Sequence, residues 1–133
     1  MTLNPNSAKQ EVLQNIAGAR VPVPAGRALF RIGHYLVHIR YCAEKDSTPT
    51  KFKFNINAST RSADFELWVC GAAESYYLIP ASLISRIYDD PETYVDRTHP
   101  ALRIVNVDIL RHRATYARGA TSADLSRYFR AQL

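Results

Sequence analysis

Residues 51–57 read KFKFNIN, and few structures can accommodate that order. Phe52, Phe54 and Ile56 alternate with Lys51, Lys53, Asn55 and Asn57. Successive side chains of a strand leave the backbone on opposite faces, so a strand separates the apolar set from the polar one. A helix, with its period of 3.6, would mix them around its circumference. The stretch predicts a strand with one buried and one wet face, or a lysine-protected sheet edge. Residues 34–42, HYLVHIRYC, alternate as well. Tyr35, Val37, Ile39 and Tyr41 share one side; His34, Leu36, His38 and Arg40 share the other. His38 and Arg40 thus sit two apart on one face of a strand that could otherwise be buried. They could line a site, bind a phosphate or face water.

Around these strands the pattern shifts. NPNSAKQEVLQNIAG predicts a helix, with Ser7 as N-cap, Gln10 completing a capping box and Gly18 as the stop. VPVPAGR is too proline-rich for a helix and reads as a connector or edge segment. ALFRIGHYLVHIRYC predicts two strands turning at Ile32-Gly33, or one strand kinked at Gly33. DFELWVC and YYLIP predict a hairpin around GAAES, and ASLISRIY a helix with Ser82 as a possible cap. ALRIVNVDILRHR predicts a strand. The tail TSADLSRYFRAQL predicts a helix, with Thr121 or Ser122 as N-cap and Asp124 in its first turn. The expected fold class is α+β or α/β: a single domain over residues 1–133, with a mostly antiparallel or mixed central sheet flanked by helices.

No apolar run approaches the roughly 20 residues of a membrane span, and the first residues lack a basic region followed by an apolar core. A soluble, cytoplasmic protein with no membrane partner is expected. Cys42 and Cys70 then read as thiols rather than a disulfide, and no paired Cys or His spacing supports zinc. The net charge is +5, unevenly spread. Residues 1–60 carry eight Lys and Arg against three acids; residues 61–96 carry two against seven; residues 97–133 carry seven against two. Arginine outnumbers lysine 13 to 4, and its planar fork suits phosphate. A polyanionic partner and an arginine-rich solvated surface both account for this, and the basic–acidic–basic order also admits self-association as a homo-oligomer.

Phe52 and Phe54, then Ser62, Asp64 and Phe65, then Tyr76, Tyr77, Ile79 and Pro80 lie on successive elements before a helix. In this order the chain, over roughly residues 7–90, resembles the restriction-endonuclease-like PD-(D/E)XK superfamily. The resemblance implies a nuclease-like scaffold, DNA as partner, and a Mg²⁺ site built from an Asp on one strand and an (E/Q)-x-K pair on the next. On that alignment His38 stands where the carboxylate belongs and Arg40 where the lysine belongs, while RALFRIG has no acid at all. Such a site would keep phosphate-facing donors and lose tight Mg²⁺ binding. The resemblance thus implies a degenerate active site with no cofactor, and leans away from an enzyme.

The leading functional expectation is nucleic-acid binding, of DNA, with His38 and Arg40 facing the former cleft. Lys51, Lys53, Arg111, Arg113 and Arg118 would contact the backbone. One alternative is an active Mg²⁺-dependent nuclease with Asp64 and Glu66 as its carboxylates, although a surface-facing strand edge explains that pair more simply. The other is a protein-interaction or assembly module. Asp89, Asp90 and Glu92 lack calcium-loop spacing. No Gly-rich phosphate loop, nucleophile elbow or H-E-x-x-H is present.

Overall fold

The computed structural model describes residues 4–57 and 62–133. The chain runs α1 (Pro5–Ala17), β1 (Val23–Gly26), β2 (Leu29–Ile32), β3 (Tyr35–Cys42), β4 (Lys51–Asn57), β5 (Phe65–Cys70), β6 (Tyr76–Pro80), α2 (Ala81–Asp89), β7 (Leu102–Asp108), β8 (Arg113–Ala117) and β9 (Thr121–Asp124). A 3-10 turn, Ser126–Tyr128, follows. The fold is α+β. In place of one central sheet the described residues form two: a first in the order β1-β2-β3-β5-β6 and a second in the order β4-β7-β8-β9.

Among the described residues every strand pair is antiparallel except β3 and β5, which run parallel. A parallel pair needs a crossover connection, most often a helix. Here the crossover contains β4, which leaves the first sheet and pairs with β7 of the second along its whole length. That long-range pairing is why local pattern predicts one sheet where the chain builds two.

The layers follow from the alternation. α1 buries Val12, Leu13 and Ile16 against Val37, Ile39, Leu67, Val69 and Leu78 on one face of the first sheet. The opposite face, with Trp68, Tyr77 and Ile79, packs on Phe52, Phe54, Ile56, Val105 and Val107 of the second sheet and on Leu83, Ile84 and Ile87 of α2. Phe54 and Trp68 stack across the sheet–sheet boundary, with ring centroids 5.1 Å apart and planes 10° from parallel. Both β4 and Trp68 thereby lock the two sheets together.

Several local expectations need correction. α1 begins a turn earlier than Ser7: Asn4 is the N-cap, its Oδ1 accepting from the Ser7 N–H at 2.8 Å, and Pro5 fills the first helical position. α2 follows Pro80 directly, without a Ser82 cap. The predicted C-terminal helix is absent from the described residues: Thr121–Asp124 is strand β9, paired with β8. The polar side chains that suggested a cap serve a turn. Asp124 Oδ1 accepts from both the N–H and the hydroxyl of Ser126, at 2.8 and 2.6 Å; the oxygen that caps helices also closes turns. Gly33 has φ +61 and makes the expected turn between β2 and β3. Among the described residues no helix is long and apolar enough to cross a membrane.

Candidate functional site

The polar residues singled out from sequence divide between two places with opposite character. The first is inside, between the sheets. His38 and Glu66 are register partners on β3 and β5, and Arg40 pairs with Trp68 one step along. Because parallel neighbours on the same step share a face, these four side chains converge on the side that packs toward the second sheet. Arg40 Nε donates to Glu66 Oε1 at 2.8 Å, and Trp68 Nε1 donates to the same oxygen at 3.0 Å. Glu66 is 1% exposed. The expectation of a surface-facing strand edge therefore fails for Glu66, since β5 is an inner strand flanked by β3 and β6. His38 is 8% exposed, and its Nδ1 is buried without a hydrogen-bond partner. Burial first, and the Arg40 charge second, hold its pKa below the usual histidine value, against a smaller opposing pull from Glu66. The imidazole is therefore neutral at pH 7.

Asp64 lies just ahead of β5, exposed, with Oδ2 accepting from the Leu36 N–H at 2.8 Å. Among the described residues no group of three or more His, Cys, Asp or Glu side chains is placed to hold a metal ion. The donor set also does not fit the Mg²⁺ site that the resemblance implies. Glu66 Oε1 is occupied by two N–H donors, and the Arg40 guanidinium sits against it, where a cation would be repelled.

The second place is the outer face of the second sheet. β4 turns Phe52, Phe54 and Ile56 inward, so Lys51 and Lys53 point outward and both are exposed. The antiparallel register extends that face across all four strands. One row runs Lys51, Asp108, Arg113, Asp124; the next runs Lys53, Asn106, Thr115, Ser122. The rows lie about 7 Å apart, two residues at roughly 3.4 Å per residue. The first row alternates in sign, which favours the cross-strand pairing itself.

Both acids of that row are drawn into turns. Asp108 Oδ1 accepts from the Leu110 and Arg111 N–H groups at 2.9 and 3.4 Å. Asp124 is held ionised by the Ser126 hydroxyl and N–H, which keep its carboxyl below the usual range. A concavity of about 610 Å³ opens over the rows. Lys45, Lys51, Lys53, Arg111 and Arg113 line it, with Asp108 the one carboxylate among the lining residues. Thr48, Asn106, Thr115, Ser122 and the Cys42 thiol complete its polar wall.

The structure thus brings together Lys51, Lys53, Arg111 and Arg113 of the residues expected to meet a backbone, and leaves three apart. His38 is buried between the sheets, and Arg40 is half-buried beside it, turned to Glu66. Arg118 stands beyond the far end of β8, exposed, 3.7 Å from Glu92. β4 is an edge strand, so its lysines also guard an open edge as the sequence suggested. Lys45, Asn106, Thr115 and Ser122 were missed. Asn106 and Asp108 did carry a signal, the period-two alternation of RIVNVD, but their alignment beside Lys51 and Lys53 depends on a pairing about fifty residues distant.

Comparison with family models, curated proteins and solved structures finds no match to this chain.

Proposed function

We propose that this chain binds nucleic acid, DNA in the first place, across the outer face of its second sheet. The observation that carries the reading is convergence: Lys51, Lys53, Arg111 and Arg113, far apart in sequence, meet with Lys45 on one concave surface. Lysine supplies point charges and arginine bidentate forks for phosphate. Asn106, Thr115 and Ser122 are side chains of the kind that bond phosphate and sugar oxygens. Such a surface positions a backbone and reads no bases, so sequence preference should be weak. On the resemblance to the PD-(D/E)XK scaffold, His38 and Arg40 take the places of the diagnostic carboxylate and lysine. In this reading they and Glu66 serve the interior and perform no hydrolysis.

The test is the affinity for a fluorescein-labelled DNA duplex measured across a salt series. If Lys51, Lys53, Arg111 and Arg113 each neutralise one phosphate, log K should fall against log salt with a slope of about −3.6 on duplex and about −2.8 on single strands. The variant Lys51→Ala/Lys53→Ala should flatten the duplex slope by about 1.8. A slope near zero, or a double variant that binds like the wild type, would remove the reading.

A further inference from the structure

The turn that carries Arg111 and Arg113 is built in an unusual way. Between those arginines stands His112, with φ +51. This is the left-handed region, where glycine or asparagine is the ordinary occupant. The chain places an imidazole there and fixes it from three sides. Tyr77 on β6 of the first sheet puts its hydroxyl 2.7 Å from His112 Nδ1. The Phe129 ring lies 4.6 Å from the imidazole, centroid to centroid. The Leu125 N–H donates to the His112 carbonyl at 2.7 Å. Tyr77 is 0% exposed, and burial pushes its hydroxyl well above the ordinary tyrosine range, so it stays protonated and donates. A hydroxyl donated in this way is accepted by the Nδ1 lone pair of the Nε2–H tautomer.

A side chain buried in one sheet therefore holds the imidazole of a turn in the other. Apart from His112, the side chains about this turn bury little. Leu110 and Arg111 are exposed, and so is Arg113. What the turn presents is two guanidinium groups at the rim of the basic concavity. Left-handed, non-glycine backbone over-determined by its surroundings gathers where a fixed geometry serves a function, and charged forks lose least on binding when they are placed beforehand.

We propose that Tyr77 and His112 are positioning residues for an arginine turn, holding Arg111 and Arg113 in the arrangement that meets the polyanion. This rests on the nucleic-acid reading above, and the experiment separates the two. A double-mutant cycle is measured as duplex affinity, with the full-length chain and a thermal midpoint recorded for every variant. Tyr77→Phe keeps the ring and removes the hydroxyl. His112→Gly keeps the left-handed backbone and removes the imidazole, and it guards against a Tyr77 variant that fails to fold. Each should weaken binding about five-fold, the equivalent of one hydrogen bond. Neither should weaken it further once Arg111→Ala/Arg113→Ala is present, because the residues act through those arginines. An equal loss in both backgrounds, or no loss in either, would overturn the positioning role. If Arg111→Ala/Arg113→Ala itself left affinity unchanged, the interface would be the part that failed.

Discussion

The two sheets handle the same kinds of residue in opposite ways. In the first, an arginine, a glutamate and a histidine point into the packed layer, and the carboxylate is all but removed from water. In the second, lysines and arginines stand on the outer face, while the acids among them are turned to backbone N–H groups. A charge in the first place must be satisfied by the protein or the fold is penalised. A charge in the second is solvated and adds little to stability, so it stays available to a partner. The interior set should therefore govern whether the chain folds, and the outer set what the folded chain binds.

Variants that attack the boundary between the sheets should show the largest stability effects. Phe54→Ala removes the ring stacked on Trp68 and should cost about 3–5 kcal/mol in urea unfolding. Glu66→Ala leaves the Arg40 guanidinium and the Trp68 N–H facing a vacated site and should cost about 3 kcal/mol. Replacing the pair together, Arg40→Met/Glu66→Leu, should recover part of that loss, because both charges go together and the Trp68 N–H still loses its acceptor. If the double variant were as unstable as the single one, the interior charges would be doing more than satisfying each other.

A pH series sharpens the contrast further. The His38 pKa is lowered in the folded chain, so the unfolded chain binds the proton more readily. The stability due to neutral His38 is fully present above the unfolded value of about 6.5. It is lost as pH falls from there toward the lowered folded value, by up to about 1.4 kcal/mol per pH unit. Urea midpoints at pH 7 and pH 5 should show this, and His38→Leu should remove much of the difference. The smallest stability effect belongs to the outer face. Lys51→Ala/Lys53→Ala should lie within about 0.5 kcal/mol of the wild type, while duplex affinity falls several-fold. A large stability loss there would erase the division between the sheets.

The amphipathic strands were legible because alternation is local. KFKFNIN names its two faces without any neighbour: Phe52, Phe54 and Ile56 are buried and Lys51 and Lys53 exposed as the alternation puts them, while Asn55 and Asn57 are half-buried. The α1 stripe of Val12, Leu13 and Ile16 was legible for the same reason. What stayed hidden depends on residues distant in sequence. Glu66 looks like a surface acid until β5 is known to run beside β3, with Arg40 in reach. β8 was not separated from β7 because their turn contains neither glycine nor proline. Its left-handed position is filled by His112, which tertiary contacts hold in place. The tail read as a helix because Thr121, Ser122 and Asp124 are good capping residues, and pairing with β8 decided otherwise. Of the candidate site, Lys51, Lys53, Arg111 and Arg113 could be named from sequence; that a turn separates the two arginines from β7, and that all four share one surface, could not.

The crossover between β3 and β5 has a consequence for how the molecule can be taken apart. Since β4 lies within that connection and also forms the edge of the second sheet, the basic surface is not an appendage that could be shed or grafted. A fragment lacking β7 to β9 would strand the apolar side of β4, and one lacking β4 would break the span that joins two inner strands. Recognition surface and scaffold should therefore melt in a single transition, and proteolysis should find no intermediate that retains one sheet without the other.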